Sequence, residues 1–185
     1  MSVWDLPECI EISGIEYSIN TDYRDILDIL YRLNDGGQDE YIRVYVALAL
    51  FYNNFDRMPP GCYEEAVTKM YDFIRCGEPE SCGRSPKVID WEQDANMIIA
   101  DVNKVAGCEI RSLSFCHWWT FIAWFNAIGD GQLATVVSIR EKRRKGKKLT
   151  DWERDFYHSN RDKVDFKTKY TPEEDKLLKQ MLGGQ

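Results

Sequence analysis

Apolar and polar residues alternate near the start of the chain, through Cys9-Ile10-Glu11-Ile12 and again through Ile15-Glu16-Tyr17-Ser18-Ile19, on either side of Ser13-Gly14. A period of two around a residue pair that can supply positive φ predicts a short β-hairpin. The period then lengthens. Thr21 offers an N-cap to a helix bearing Tyr23, Ile26, Leu27, Leu30 and Leu33, which Gly36-Gly37 ends. A second helix is predicted from Gln38 to Phe55, with a wide stripe through Tyr41, Val44, Tyr45, Leu48, Phe51, Tyr52 and Phe55, before Met58-Pro59-Pro60-Gly61 stops it. A third runs from about Cys62 to Arg75, with Ala66, Val67, Met70, Phe73 and Ile74 on one face.

Residues 77–86 contain two Gly, two Pro and two Ser, which predicts a surface loop and makes 77–87 the candidate boundary between sub-regions. Asp90, with Gln93 three residues on, caps a fourth helix that carries Trp91, Ala95, Ile98, Ile99, Val102 and Val105 to Gly107. From Ser114 to Gly129 the chain is apolar nearly all round, as expected of a helix enclosed by others or docked on a partner. Leu133, Val136, Val137 and Ile139 form a short helix that leads into the basic run Arg140 to Lys148. Thr150-Asp151-Trp152-Glu153 and Thr171-Pro172-Glu173-Glu174 each open a helix with a capping-box pattern, and the last helix ends at Gly183-Gly184. The expected architecture is mainly α: about eight helices in a compact domain over 1–166 with an N-terminal hairpin, then a helical tail over 167–185.

Composition agrees with a folded domain. The 185 residues, 44% hydrophobic and 30% charged, exclude global disorder, and a chain of this length buries roughly 70% of its unfolded surface. The net charge of -7 opposes constitutive binding to nucleic acid or to an anionic membrane. That average hides an asymmetry. Residues 140–169 hold 12 bases and 6 acids, which leaves a net of -13 on the rest. No basic and apolar secretory pattern opens the chain and no apolar run reaches the ~20 residues of a membrane span, so a cytoplasmic protein is expected. The six cysteines sit mostly in apolar patterns without metal-ligand spacing, which reads as reduced core thiols.

Candidate chemistry is sparse. His117 lies in the aromatic segment and His158 in the basic one, neither within a nucleophile motif, and no glycine-rich phosphate loop is present. The helical carboxylates fall opposite the apolar stripes, on faces that water solvates. No catalytic residue, metal or cofactor is therefore expected, and the protein reads as non-enzymatic. The aromatic cluster Trp118, Trp119, Phe121, Trp124 and Phe125 supports two readings, ordinary core and a partly exposed interaction surface. Helical angles place Trp118, Phe121, Ile122 and Phe125 together, turn Trp119 and Ala123 away and leave Trp124 between, so Trp119 and Trp124 are the candidate partner contacts. The basic run Arg140, Lys142, Arg143, Arg144, Lys145, Lys147 and Lys148 also reads two ways: a solvated helix end whose bases meet the negative end of the dipole, or a docking site for an acidic partner. Nucleic acid ranks below both, because aromatics do not interleave the run and the acidic remainder opposes it.

Asp5-Leu6-Pro7, Asn20-Thr21-Asp22-Tyr23-Arg24 and Phe51-Tyr52, followed by Asp90-Trp91-Glu92-Gln93-Asp94-Ala95, His117-Trp118-Trp119-Thr120-Phe121 and Val137-Ser138-Ile139-Arg140, form an ordered set. This set resembles the phage family called gp-fifteen, of siphophages and prophages of Gram-positive bacteria, from about Asp5 to Phe166. The resemblance implies a mostly helical tail-assembly chaperone that coats the long hydrophobic tape-measure protein before tail-tube subunits polymerise. Such a protein is expected in the host cytoplasm and not in the finished virion. It carries over no catalytic residue. Its implied partners are the tape-measure protein and the tail-tube protein; the acidic body and basic segment also predict association with further copies of the chain. The alternatives are a structural tail or tail-tip component retained in the particle, and a nucleic-acid-binding regulator acting through 140–148.

Overall fold

The computed structural model describes residues 4–34, 36–79 and 87–167. Strands β1 (Cys9–Ile12) and β2 (Ile15–Ser18) pair antiparallel with Ile12 opposite Ile15. The two-residue turn between them puts Ser13 at φ 49° and Gly14 at φ 78°, the left-handed pair that a right-twisted hairpin requires. Glu65 fixes this turn to the helices by accepting from the Ser13 hydroxyl at 2.8 Å and its N–H at 3.1 Å.

Eight α-helices follow among the described residues: α1 (Tyr23–Leu33), α2 (Glu40–Phe51), α3 (Tyr63–Ile74), α4 (Ala95–Ala106), α5 (Trp118–Asn126), α6 (Gln132–Arg144), α7 (Asp151–Ser159) and α8 (Arg161–Val164). Their main packing order in space is α3, α2, α1, α5, α4, α6, α8, α7. One hydrophobic cluster runs through all of it, from Ile12 to Val164, so the segments on both sides of 77–87 share a core. A mainly α domain with an N-terminal hairpin is what the periodicity predicts. The expected helix after Thr171, and most of the expected loop at 77–86, lie outside the described residues.

Several helix ends differ from the expected ones, each for a tertiary reason. Asp22, not Thr21, caps α1, accepting the Arg24 N–H at 2.9 Å. Helix α2 ends four residues early because Tyr52 adopts an extended conformation and bridges Ile19, leaving Phe55–Arg57 as a separate 3-10 turn. Helix α5 starts at Trp118 instead of Ser114, since Tyr23 donates its N–H to the Cys116 carbonyl and Asp22 takes the Cys116 N–H. Helix α4 begins at Ala95, after a turn in which the Asp90 carboxylate receives the N–H groups of Glu92 and Gln93. The capping box at Thr150 and Glu153 and the left-handed Gly107 after α4 are as the sequence predicts.

Helix α6 is capped from outside. Gly131 precedes it in an extended conformation, and the Asp101 carboxylate of α4 reaches over to accept the Leu133 N–H at 3.2 Å. A Cβ on Gly131 would lie 2.7 Å from the Asp101 carboxyl carbon, inside contact distance. Gly131→Ala should therefore destabilise the fold by about 1–3 kcal/mol through overpacking, read as a lowered midpoint in urea with unchanged slope.

Candidate functional site

The buried polar centre of the molecule is Arg140 on α6. Its side chain is 4% exposed, and Asp94, before α4, is fully buried beside it. Asp94 receives both ends of the guanidinium, Nη1 to Oδ2 at 2.5 Å and Nη2 to Oδ1 at 2.9 Å. The remaining donors reach the carbonyls of Val164 at 2.7 Å, Val88 at 3.0 Å and Lys163 at 2.7 Å. All five N–H bonds are used, which is what permits burial of this charge. The Phe166 ring covers the guanidinium at 4.1 Å. Gln93 extends the joint by donating to the Asp165 carbonyl at 2.8 Å and accepting the Lys167 N–H at 3.0 Å. Arg140 thus fastens four separate stretches of chain, and its assignment as a docking residue is corrected: no donor is left for a partner.

The second polar joint is the start of α5. His117 is buried and acts as the N-cap, its Nδ1 accepting the Trp119 N–H at 3.1 Å. Since Nδ1 accepts, the proton sits on Nε2, which donates to the Pro7 carbonyl at 3.1 Å and ties the N-terminal segment to the aromatic helix. Burial lowers the imidazole's pKa below 6.5, opposed by the Pro7 carbonyl and by Glu8. The unfolded chain therefore binds more protons in the window below 6.5. Stability is complete above that value and falls as pH drops through the window, and a histidine cap replaced by Asn should flatten the slope in urea titrations between neutral and mildly acidic pH.

Both following tryptophans serve the fold. Trp118 is buried and donates its indole N–H to the Ile74 carbonyl at 2.9 Å; Trp119, half-buried, donates to Phe73 at the same distance. They tie the start of α5 to the last-turn carbonyls of α3, of which that of Phe73 also accepts the Cys76 N–H at 2.9 Å. Trp119 does turn away from the face of Trp118, Phe121 and Phe125, but onto α3: its ring tilts on Phe73 at 5.8 Å and meets His117 edge-on. Trp124 is half-buried against the core cluster.

Most of the basic run is neutralised locally. Lys142 pairs with Glu153 at 2.6 Å, joining α6 to α7 and holding the Glu153 carboxyl below its usual range. Arg143 pairs with Asp165 and lies 4.1 Å over the Tyr157 ring. Arg144 and Lys145 share Glu141. Lys147 and Lys148 are exposed and form no ion pair among the described residues.

A groove that the sequence does not announce lies between α1 and residues 87–92. Its volume is about 500 Å³, and Leu27, Leu30, Tyr31, Ile89 and Trp91 line it. The three α1 residues are one turn apart on one face. Trp91 forms a rigid wall, because its other contacts are the rings of Trp118, Phe121 and Phe125 at 5.0–6.2 Å. At the rim, Asp90 is partly buried, which raises its pKa, but hydrogen bonds from Gln93, Lys87 and Glu92 outweigh that and hold its carboxyl down at about 2. The sequence pattern places Leu27 and Leu30 on the apolar stripe of one predicted helix and Trp91 within another, but nothing in it brings them together.

The molecule is a helical domain locked by buried polar joints, with an apolar groove on its surface. The sequence model of the family described as Bacteriophage Gp15 protein matches residues 3–166, and the chain belongs to that family. It is by that membership a phage protein of the structural or assembly kind. No curated protein and no solved structure matches the chain. Among the described residues no helix is long and apolar enough to cross a membrane.

Proposed function

We propose that the protein is a non-enzymatic tail-assembly chaperone that holds the helical tape-measure protein in the host cytoplasm until tail-tube subunits polymerise around it. The observation that carries this reading is the groove between α1 and Trp91. Its walls are aliphatic and aromatic, and the α1 side presents Leu27, Leu30 and Tyr31 at the i, i+3, i+4 spacing by which amphipathic helices are read. This moves the client seat from Trp119 and Trp124, whose rings support α3 and the core, to the other side of the aromatic helix. The local pairing of most bases in the run from Arg140 to Lys148 weakens the nucleic-acid alternative, since those charges already have partners.

Co-expression tests the reading. The tape-measure protein should move from the insoluble to the soluble fraction and co-purify with the wild-type chain, and Leu30→Glu should abolish both effects while the variant keeps its helical circular dichroism. Mass spectrometry of purified particles should find the chaperone absent. Stoichiometric copies in the virion would instead establish the structural-component reading.

A further inference from the structure

Two exposed patches stand apart from the groove. The first is on the outer face of α2, where Tyr41 is 70% exposed and Ile42 and Tyr45 nearly half exposed. Tyr41 stacks on Tyr45 at 6.4 Å, and Tyr45 meets Phe55 and Tyr63 edge-on. Carboxylates flank this ladder: Glu40 beside Tyr41, Asp56 beside Phe55 and Glu64 beside Tyr63 are exposed and form no ion pair among the described residues. Residues 39–65 hold five acids against Arg43 and Arg57. The second patch is the corner between α6 and α7. Trp152 is 62% exposed there, and Lys147 and Lys148 are exposed and form no ion pair among the described residues.

We propose that the α2 face of one copy docks on the α6–α7 corner of another, so that copies associate head to tail. Each patch offers exposed aromatic surface, and their charges are opposite. Two α2 faces would set carboxylate against carboxylate, and two corners lysine against lysine, so a self-matched dimer through either patch is opposed. The packing order puts α2 near one end of the helix series and α7 at the other, which keeps one copy from joining its own patches. A contact between two different patches leaves one of each free at the ends, and such contacts build open arrays or rings instead of closed dimers. This goes beyond client binding and holds or fails without a client.

Sedimentation velocity of the purified full chain tests it. Wild type should show species growing beyond a dimer as concentration rises, and these should recede between ~0.1 M and ~1 M salt, where the screening length falls from about 10 to about 3 Å. Tyr41→Ser/Ile42→Ser and Lys147→Glu/Lys148→Glu, checked for wild-type circular dichroism, should each sediment as monomers. Mixed together, the two variants should form a one-to-one dimer and nothing longer, because each retains the patch that the other lacks. Monomeric wild type at every concentration overturns the proposal. So does self-association that survives in either variant alone, or a mixture of the two that stays monomeric.

Discussion

Arg140→Ala is expected to lower the stability of the fold by about 3–5 kcal/mol, the loss seen when one partner of a buried ion pair is removed and the other charge remains. The geometry explains why the effect should lie at the upper end. Asp94 would be left fully buried without its counter-ion, and the carbonyls of Val88, Lys163 and Val164 would lose their donor together. Arg140→Lys should rescue little, because an ammonium has three donors where five are used and cannot engage both Asp94 oxygens in a fork. In urea denaturation the double change Asp94→Ala/Arg140→Ala should cost less than the sum of the single ones by about 0.5–3 kcal/mol, the coupling typical of contacting residues. Amide exchange in Arg140→Ala should rise first over 161–167, the stretch that the guanidinium holds in place.

Trp118→Ala is expected to cost a further about 3–5 kcal/mol, as large-to-small changes in cores do. The ring is 1% exposed and packs on Phe121 at 5.6 Å and Trp91 at 6.1 Å, and Phe121 in turn stacks on Tyr23 of α1 at 4.8 Å. The cavity would therefore open between α1, α5 and the wall of the groove. Trp118→Phe separates packing from hydrogen bonding: it keeps much of the ring but leaves the Ile74 carbonyl without its indole donor, a deficit of about 1–3 kcal/mol. Thermal and urea unfolding of the two variants read the difference.

Local chemistry was the legible part of this chain. The Ser13-Gly14 turn, the Thr150 capping box and Gly107 each depend on residues within a few positions of one another, and the structure places them where the pattern predicts. What the pattern could not carry was partnership across distance. Arg140 looked like the first member of a basic run, because nothing local shows that Asp94, 46 residues earlier, comes to meet it. His117 looked like an interior residue of an apolar helix, yet the pairing of Cys116 with Tyr23 breaks that helix and makes the imidazole its cap. The same long-range contacts explain the resemblance. Asp22, Gln93, Asp94, His117, Trp118 and Arg140 stand in the motifs that carry it, and all of them are structural fasteners. The motifs thus identify the fold, whereas the groove proposed for the client joins Trp91, which stands in one of them, to Leu27, Leu30, Tyr31 and Ile89, which do not.

A photo-crosslinking amino acid at position 31, on the groove rim, tests the central claim most directly when the chain is co-expressed with the tape-measure protein. Tyr31 lines the groove and is half exposed, so the probe can reach a bound helix without disturbing the core. The account predicts an adduct with the tape-measure protein from position 31 and none from position 152, on the far α6–α7 corner. Equal crosslinking from both positions, or an adduct from position 152 alone, would contradict it.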